Sequence, residues 1–143
     1  MKVKIKKLHQ NSVIPTYAKV GDVGLDLTAT SLSYKDDLFL EYGTGLAIEI
    51  PAGFGGFIFP RSSISNYDLS LCNSVGVIDT NYIGEIKIRF KILHNYQVDK
   101  KIYNIGDRIC QLVILPVPKI EFELTEELKD SIRGSSGFGS SGV

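Results

Sequence analysis

Along most of the chain apolar and polar side chains alternate with a period of two, and glycine, proline, asparagine or aspartate breaks the alternation every few residues. Val3 and Ile5 lie between Lys2, Lys4 and Lys6, Leu25 and Leu27 flank Asp26, and Leu46, Ile48 and Ile50 enclose Ala47 and Glu49. That period sends successive side chains to opposite faces of an extended chain, so each segment predicts a short, half-buried strand. The same pattern predicts strands at Leu38–Glu41, Gly56–Phe59, Leu69–Ile78, Glu85–Leu93, Ile109–Leu115 and Lys119–Leu124, nine or ten in all. No segment resembles the crossover helix of a dozen residues that a parallel sheet needs, so the pattern predicts an all-β, antiparallel sandwich, jelly roll or barrel. Only two helical pieces are expected, a short one after Arg61 running from Ser63 to Tyr67 and a turn or two near Glu126–Ile132.

Composition narrows the picture. A chain of 143 residues predicts one domain. Sixteen Lys and Arg balance sixteen Asp and Glu, which offers no field for a polyanion, so nucleic acid is not an expected partner. No apolar run approaches the roughly 20 residues that span a bilayer, and the start, MKVKIKKLHQ, alternates lysines with aliphatic residues where a secretion signal would be continuously apolar. The expectation is a soluble, cytoplasmic protein with no membrane role. Cys72 and Cys110 have no second Cys or His at metal spacing and are expected to be buried free thiols. The last stretch, RGSSGFGSSGV from Arg133 to Val143, cannot bury enough surface to order itself. A disordered terminus and a functional tail both fit; an Arg leading in and one Phe among glycines are unusual for a spacer.

Three groups of residues could carry chemistry. In Asn73–Phe90, Ile86, Ile88 and Phe90 alternate with Lys87 and Arg89, which predicts the second strand of a hairpin with one buried face. Between the strands, Asp79 is either a turn former or a carboxylate held beside Tyr82 and able to orient a water. Arg61, Ser62 and Ser63 at a strand end suit a phosphate through a guanidinium, hydroxyls and helix-start amides, although a Ser pair there is also ordinary capping. Gly106–Leu112 runs from a turn into a strand with one polar residue, Gln111, among aliphatics, where a solvated strand face is the plain reading.

Taken in order, these segments resemble the five motifs of the trimeric deoxyuridine triphosphatase (dUTPase) family. They are Tyr17-Ala18 through Gly21-Asp22-Val23-Gly24-Leu25-Asp26-Leu27; Pro60-Arg61-Ser62-Ser63; Gly76-Val77-Ile78-Asp79-Thr80-Asn81-Tyr82-Ile83-Gly84-Glu85; Gly106-Asp107-Arg108-Ile109-Cys110-Gln111-Leu112; and Arg133 to Gly142, nearly the whole chain. The third and fifth are the specific ones. The resemblance implies a distorted jelly roll of the β-clip type, with residues 1–132 as the body and 133–143 as a flexible lid. It implies a homotrimer with shared active sites and no obligate partner protein. It also implies hydrolysis of dUTP to dUMP and pyrophosphate with Mg²⁺, in the cytoplasm or in a host's cytoplasm if the source is viral, lowering dUTP and supplying dUMP for thymidylate synthesis. In that scheme Asp79 orients the attacking water. Asn73 and the backbone of Gly76, Val77 and Ile78 read uracil, Tyr82 lies under the deoxyribose, and Lys87 is either exposed or reaches the pocket. Arg61, Ser62, Ser63, Gln111, Arg133, Gly139 and Ser140 meet the phosphates, Phe138 stacks on the base, and Asp26 holds a metal-bound water or simply faces solvent. Ser63, Asn81, Cys110 and Ser136 stand where Gly, an acid, Ala and Gly are usual, and His9 and His94 match no role in the family.

Two rivals are weighed against this. Deoxycytidine triphosphate deaminase shares an Arg-Ser-Ser motif, but its catalytic Glu, five residues after the hairpin glycine, corresponds to Arg89 here, and a guanidinium cannot shuttle the proton. A regulatory module with nucleotide as effector would keep its function without Asp79.

Overall fold

In the computed structural model, which describes residues 1–36, 38–93, 101–131 and 134–135, the alternating segments form ten strands. In chain order they are β1 (Lys4–Lys7), β2 (Leu25–Thr28), β3 (Ser31–Tyr34), β4 (Phe39–Gly43), β5 (Leu46–Glu49), β6 (Phe54–Pro60), β7 (Leu69–Leu71), β8 (Gly76–Ile78), β9 (Lys87–Ile92) and β10 (Arg108–Pro116), with a 3₁₀ turn at Ser62–Asn66. Every pairing is antiparallel. Two four-stranded sheets, ordered β2-β10-β6-β8 and β3-β4-β9-β7, are joined by a β1-β5 ribbon, the jelly-roll layout expected from short strands without crossover helices. No helix among the described residues is long and apolar enough to cross a membrane.

The period-two faces meet in one core. Leu27, Ile58 and Leu112 of the first sheet and Leu40, Tyr42, Ile88 and Phe90 of the second are buried in a single cluster. Each such side chain contributes about 1.5–3 kcal/mol on leaving water. Tyr42 lies edge-on to Phe90 at 5.8 Å, and its buried hydroxyl donates to the Tyr103 carbonyl at 2.9 Å, so the largest rings are also fixed by a polar bond.

Several expectations need correction. Leu69–Ile78 is two strands in different sheets, β7 and β8, because a turn at Cys72–Val75, with Ser74 at φ 58°, redirects the chain. The Asn73–Phe90 hairpin is therefore not a paired ladder, since β8 bonds to β6 while β9 bonds to β4 and β7. Ser31–Tyr34 is a strand that the pattern reading missed. Lys119–Leu124 forms no strand: Ile120, Phe122 and Leu124 alternate as a strand should but stand exposed and pair with no strand among the described residues. No helix forms over 126–131, whose acidic residues lie in solvent. Cys110 is a buried thiol, but Cys72, in the turn after β7, is exposed. His94 and most of the tail, including Arg133, Phe138, Gly139 and Ser140, lie outside the described residues.

Candidate active site

Register alone brings three of the expected residues together. On β10, Gln111 lies opposite Asp26 of β2 on one side and Phe59 of β6 on the other, two residues before Arg61. Asp26 is bound twice: its Oδ1 accepts from Arg61 Nε at 2.8 Å and its Oδ2 from Arg108 Nη1 at 2.9 Å. The carboxylate holds two guanidinium groups side by side that would otherwise repel, and charge-assisted bonds of this length are the strong class. It is neither free in solvent nor stripped of capacity, since a carboxylate offers about four lone-pair sites and two are used. Arg61 Nη1 also donates to Ser63 Oγ at 3.3 Å, and Gln111 Nε2 donates to the Pro60 carbonyl at 3.2 Å, so the lone strand glutamine is a half-buried brace. Gly24 lies against Gln111, and a Cβ there would collide with the glutamine side chain. Lys19, Asp22, Gly24, Asp26, Arg108 and Gln111 join Arg61 and the exposed Ser62 around a polar cleft of about 460 Å³. Three cations against two carboxylates give it a small positive excess suited to an anion.

A second cleft, also of about 460 Å³, opens between β8 and β9. Asn73, Gly76, Val77, Ile78 and Tyr82, expected to read the base and sugar, line it together with Lys87, expected either here or in solvent. It exists because the two strands belong to different sheets. β8 is the last strand of its sheet and pairs only with β6, whereas β7 covers β9 only at Phe90–Ile92. The Arg89 carbonyl accepts from Cys72 N at 3.0 Å, so by strand alternation the N–H and C=O of Lys87 face the same edge, beyond the last β7 pair. Two backbone edges thus confront each other across a gap. Gly84 leaves room for Tyr82 to fold back and donate its hydroxyl to the Glu85 carbonyl at 2.7 Å. Asp79 follows β8 in a turn closed by Tyr82 N donating to its carbonyl at 3.1 Å; its side chain is exposed and makes no ion pair among the described residues. It is thus both a turn former and an available carboxylate.

Glu41, Arg108 and Arg89 were missed as site neighbours. Glu41 is buried in the wall of the second cleft and accepts from Arg89 Nε at 2.7 Å, with Lys35 Nζ at 3.1 Å and Lys87 Nζ at 3.5 Å. Burial opposes its ionisation, but the bonds from Arg89 and Lys35 and the charges of Lys35 and Lys87 outweigh it and bring the carboxyl down to about 2. The only available signal was one acid inside the otherwise apolar FLEYG strand. The fixed anion holds Lys87 and Arg89 to the cleft wall, so Lys87 is both half-exposed and at the pocket.

Asp79 and Arg61 lie far apart in one chain. Ile78 is opposite Gly56, so Asp79 falls level with Gly55, six residues before Arg61 on β6; at about 3.3 Å per residue that is roughly 20 Å. No cluster of three metal-ligating side chains occurs among the described residues.

The dUTPase family model matches residues 10–142. The chain is 42% identical over 150 residues to deoxyuridine 5'-triphosphate nucleotidohydrolase of Desulfitobacterium hafniense, covering 100% of this chain and 97% of the relative. It is 44% identical over 146 residues to the protein of that name from Helicobacter hepaticus, covering 100% and 90%. Among solved structures, the G164S mutant dUTPase of Staphylococcus bacteriophage 80alpha with dUpNHpp superposes at a TM-score of 0.85 with 28% identity, covering 99% of each chain. The D95N mutant of the phage phi11 enzyme, a structure describing a structural Mg(II) ion, shares the fold at a TM-score of 0.75 and 23% identity, over 89% of this chain and 98% of that one.

Proposed function

This chain belongs to the dUTPase family and hydrolyses dUTP, and from that premise we propose that it does so at sites shared between copies of a homotrimer, using water aimed by Asp79. What carries the reading is the gap between β8 and β9. Uracil presents acceptor, donor and acceptor in a row, and facing backbone edges can answer with N–H, C=O and N–H. Cytosine would set its amine against a donor and leave buried groups unpaired, which discriminates strongly. The methyl of thymine would meet closely packed backbone. Tyr82, held by its bond to Glu85, lies under the deoxyribose and leaves no space for a 2′-hydroxyl.

Arg61, Ser62, Ser63 and Gln111 bind the triphosphate in the first cleft, where Asp26 fixes the Arg61 guanidinium and shares its other oxygen with Arg108. Asp79 takes a proton from water as its oxygen attacks the α-phosphorus, the bond to the bridging oxygen breaks, and dUMP and pyrophosphate result. The negative charge passing to the leaving pyrophosphate is met by the cations of the first cleft. When bound, magnesium would neutralise charge on the substrate's phosphates, and Asp26, whose carboxylate keeps lone pairs beyond its two guanidinium bonds, would be the residue to hold it through a water.

Roughly 20 Å separates Asp79 from Arg61 along β6, so a site needing both draws them from two copies. The exposed alternation Ile120, Phe122, Leu124 and the apolar groove beside β1, lined by Val3, Ile5, Ile14 and Leu25, give two copies surface to bury against each other. Residues 1–132 form the body, and 133–143 close over the site, with Arg133, Gly139 and Ser140 on the phosphates and Phe138 on the base.

A nucleotide panel tests the reading. With magnesium, pyrophosphate release from dUTP is expected to exceed release from dCTP, dTTP and UTP by at least about 100-fold, and to fall steeply when the metal is chelated. Comparable rates on all four substrates would remove the base-reading role of the gap.

A further inference from the structure

The wall of the second cleft carries more charge than a neutral base requires. Lys87 and Arg89 line it, and Glu41 is the one acid doing so among the described residues. Glu41 stands opposite Arg89 in the β4–β9 register, and both of its oxygens are engaged. Oε2 accepts from Arg89 Nε at 2.7 Å, while Oε1 lies 3.1 Å from Lys35 Nζ and 3.5 Å from Lys87 Nζ. The acid is buried and its three cations are partly open to solvent, so one fixed anion decides where three mobile side chains end. Opposite charges facing each other across two strands support the ladder as well.

Lys87 is the cation whose release would matter to a base. Its backbone belongs to the stretch of β9 that β7 leaves uncovered, at the edge that confronts β8. Apart from Glu41, its ionic contact among the described residues is Glu85 Oε2 at 3.8 Å, beyond hydrogen-bond distance. An ammonium offers three donors and no acceptor. Uracil presents a donor, its N3–H, in the middle of the edge to be read, whereas cytosine presents an acceptor there. A loose ammonium entering the gap would oppose the first and bond to the second, against the preference that the two backbone edges set. Specificity depends on keeping a wrong donor out as much as on placing the right ones.

We propose that Glu41 is a specificity-determining positioning residue: its buried carboxylate ties the Lys87 ammonium to the cleft wall and keeps a donor that favours cytosine out of the base-reading gap. The inference rests on the proposed reading that the gap between β8 and β9 takes the base. In Glu41→Gln one oxygen becomes an amide NH₂. The remaining oxygen goes to Arg89, which makes the shortest bond, and the new donor faces the two ammonium groups, so Lys87 is released while the side chain keeps its shape.

The test is the ratio of kcat/KM for dUTP to that for dCTP, followed by pyrophosphate release from the full chain in the parent, Glu41→Gln, Lys87→Met and the double variant. Glu41→Gln is expected to lower the ratio by roughly tenfold, the range of one hydrogen bond in a buried site, with kcat for dUTP changed less than about threefold. On the Lys87→Met background the same substitution is expected to leave the ratio where Lys87→Met alone puts it, because its effect runs through that ammonium. Glu41→Asp keeps the charge, shortens its reach by one methylene and guards against a folding defect of the neutral variant; it is expected to lower the ratio by about threefold. An unchanged ratio in both Glu41 variants, or a loss that persists on the Lys87→Met background, would overturn the inference while leaving dUTP hydrolysis intact. A parent that turned over dCTP and dUTP alike would instead overturn the base-reading role of the gap.

Discussion

Asp79→Asn is expected to lower kcat for dUTP by about 10²–10⁴-fold, the range contributed by a positioned general base, while affinity for a non-hydrolysable dUTP analogue changes little. The substitution keeps the size and hydrogen-bonding reach of the side chain and removes only its ability to take a proton. The turn around it is held by backbone, Tyr82 N to the Asp79 carbonyl, so folding does not depend on the carboxylate. Asn also adopts turn geometry readily, so the β8 edge and the base pocket stay as they are. The measurement is a pre-steady-state and steady-state comparison of the two proteins together with analogue binding by calorimetry. A variant that binds the analogue normally and turns over at the parent rate would show that another group activates water; a variant that loses binding as well would show that Asp79 builds the pocket and does not act in the chemical step.

Truncation after Ile132 carries the second large effect. The removed segment contains the one ring and the one guanidinium of the Gly- and Ser-rich tail. Closure of such a segment costs about 1–2 kcal/mol per ordered residue in backbone entropy, which is offset only if the ligand makes new contacts with it. Glycine backbone can approach an anion closely, and on the proposed reading Phe138 would cover the base, so closure would add donors to the phosphates and exclude water. We expect turnover to fall by about 100-fold or more, with the thermal midpoint and oligomeric mass per body unchanged, since all ten strands of the described residues precede the cut. Light scattering, thermal unfolding and pyrophosphate release check the three parts. A truncated protein of full activity would leave the tail without a catalytic role.

What could be read in the sequence was what local chemistry decides. Ile86, Ile88 and Phe90 are buried as their alternation with Lys87 and Arg89 requires, and the short helical piece after Arg61 is the 3₁₀ turn Ser62–Asn66. What escaped depends on distant parts of the chain. A run of apolar residues from Leu69 to Ile78 does not say which sheet each half joins, and the base-sized gap between β8 and β9 follows entirely from their joining different ones. The pairing of Asp26 with Arg61 and Arg108 spans 35 and 82 residues, so no local window contains it. Glu41 becomes meaningful only once Arg89 is known to lie opposite it. Alternation alone does not make Lys119–Leu124 a strand: a strand needs a paired neighbour, and this segment has none among the described residues.

In the proposed trimer, Asp79 of one copy acts on phosphates held by Arg61 of another. Asp79→Asn and Arg61→Ala, each nearly inactive alone, can be denatured together in equal amounts and refolded as mixed trimers. If the site is shared, about one quarter of the sites in a random mixture combine an intact Arg61 with an intact Asp79, and pyrophosphate release from dUTP returns to about that fraction of the parent rate. Mixed trimers that remain as inactive as either variant alone would contradict the account.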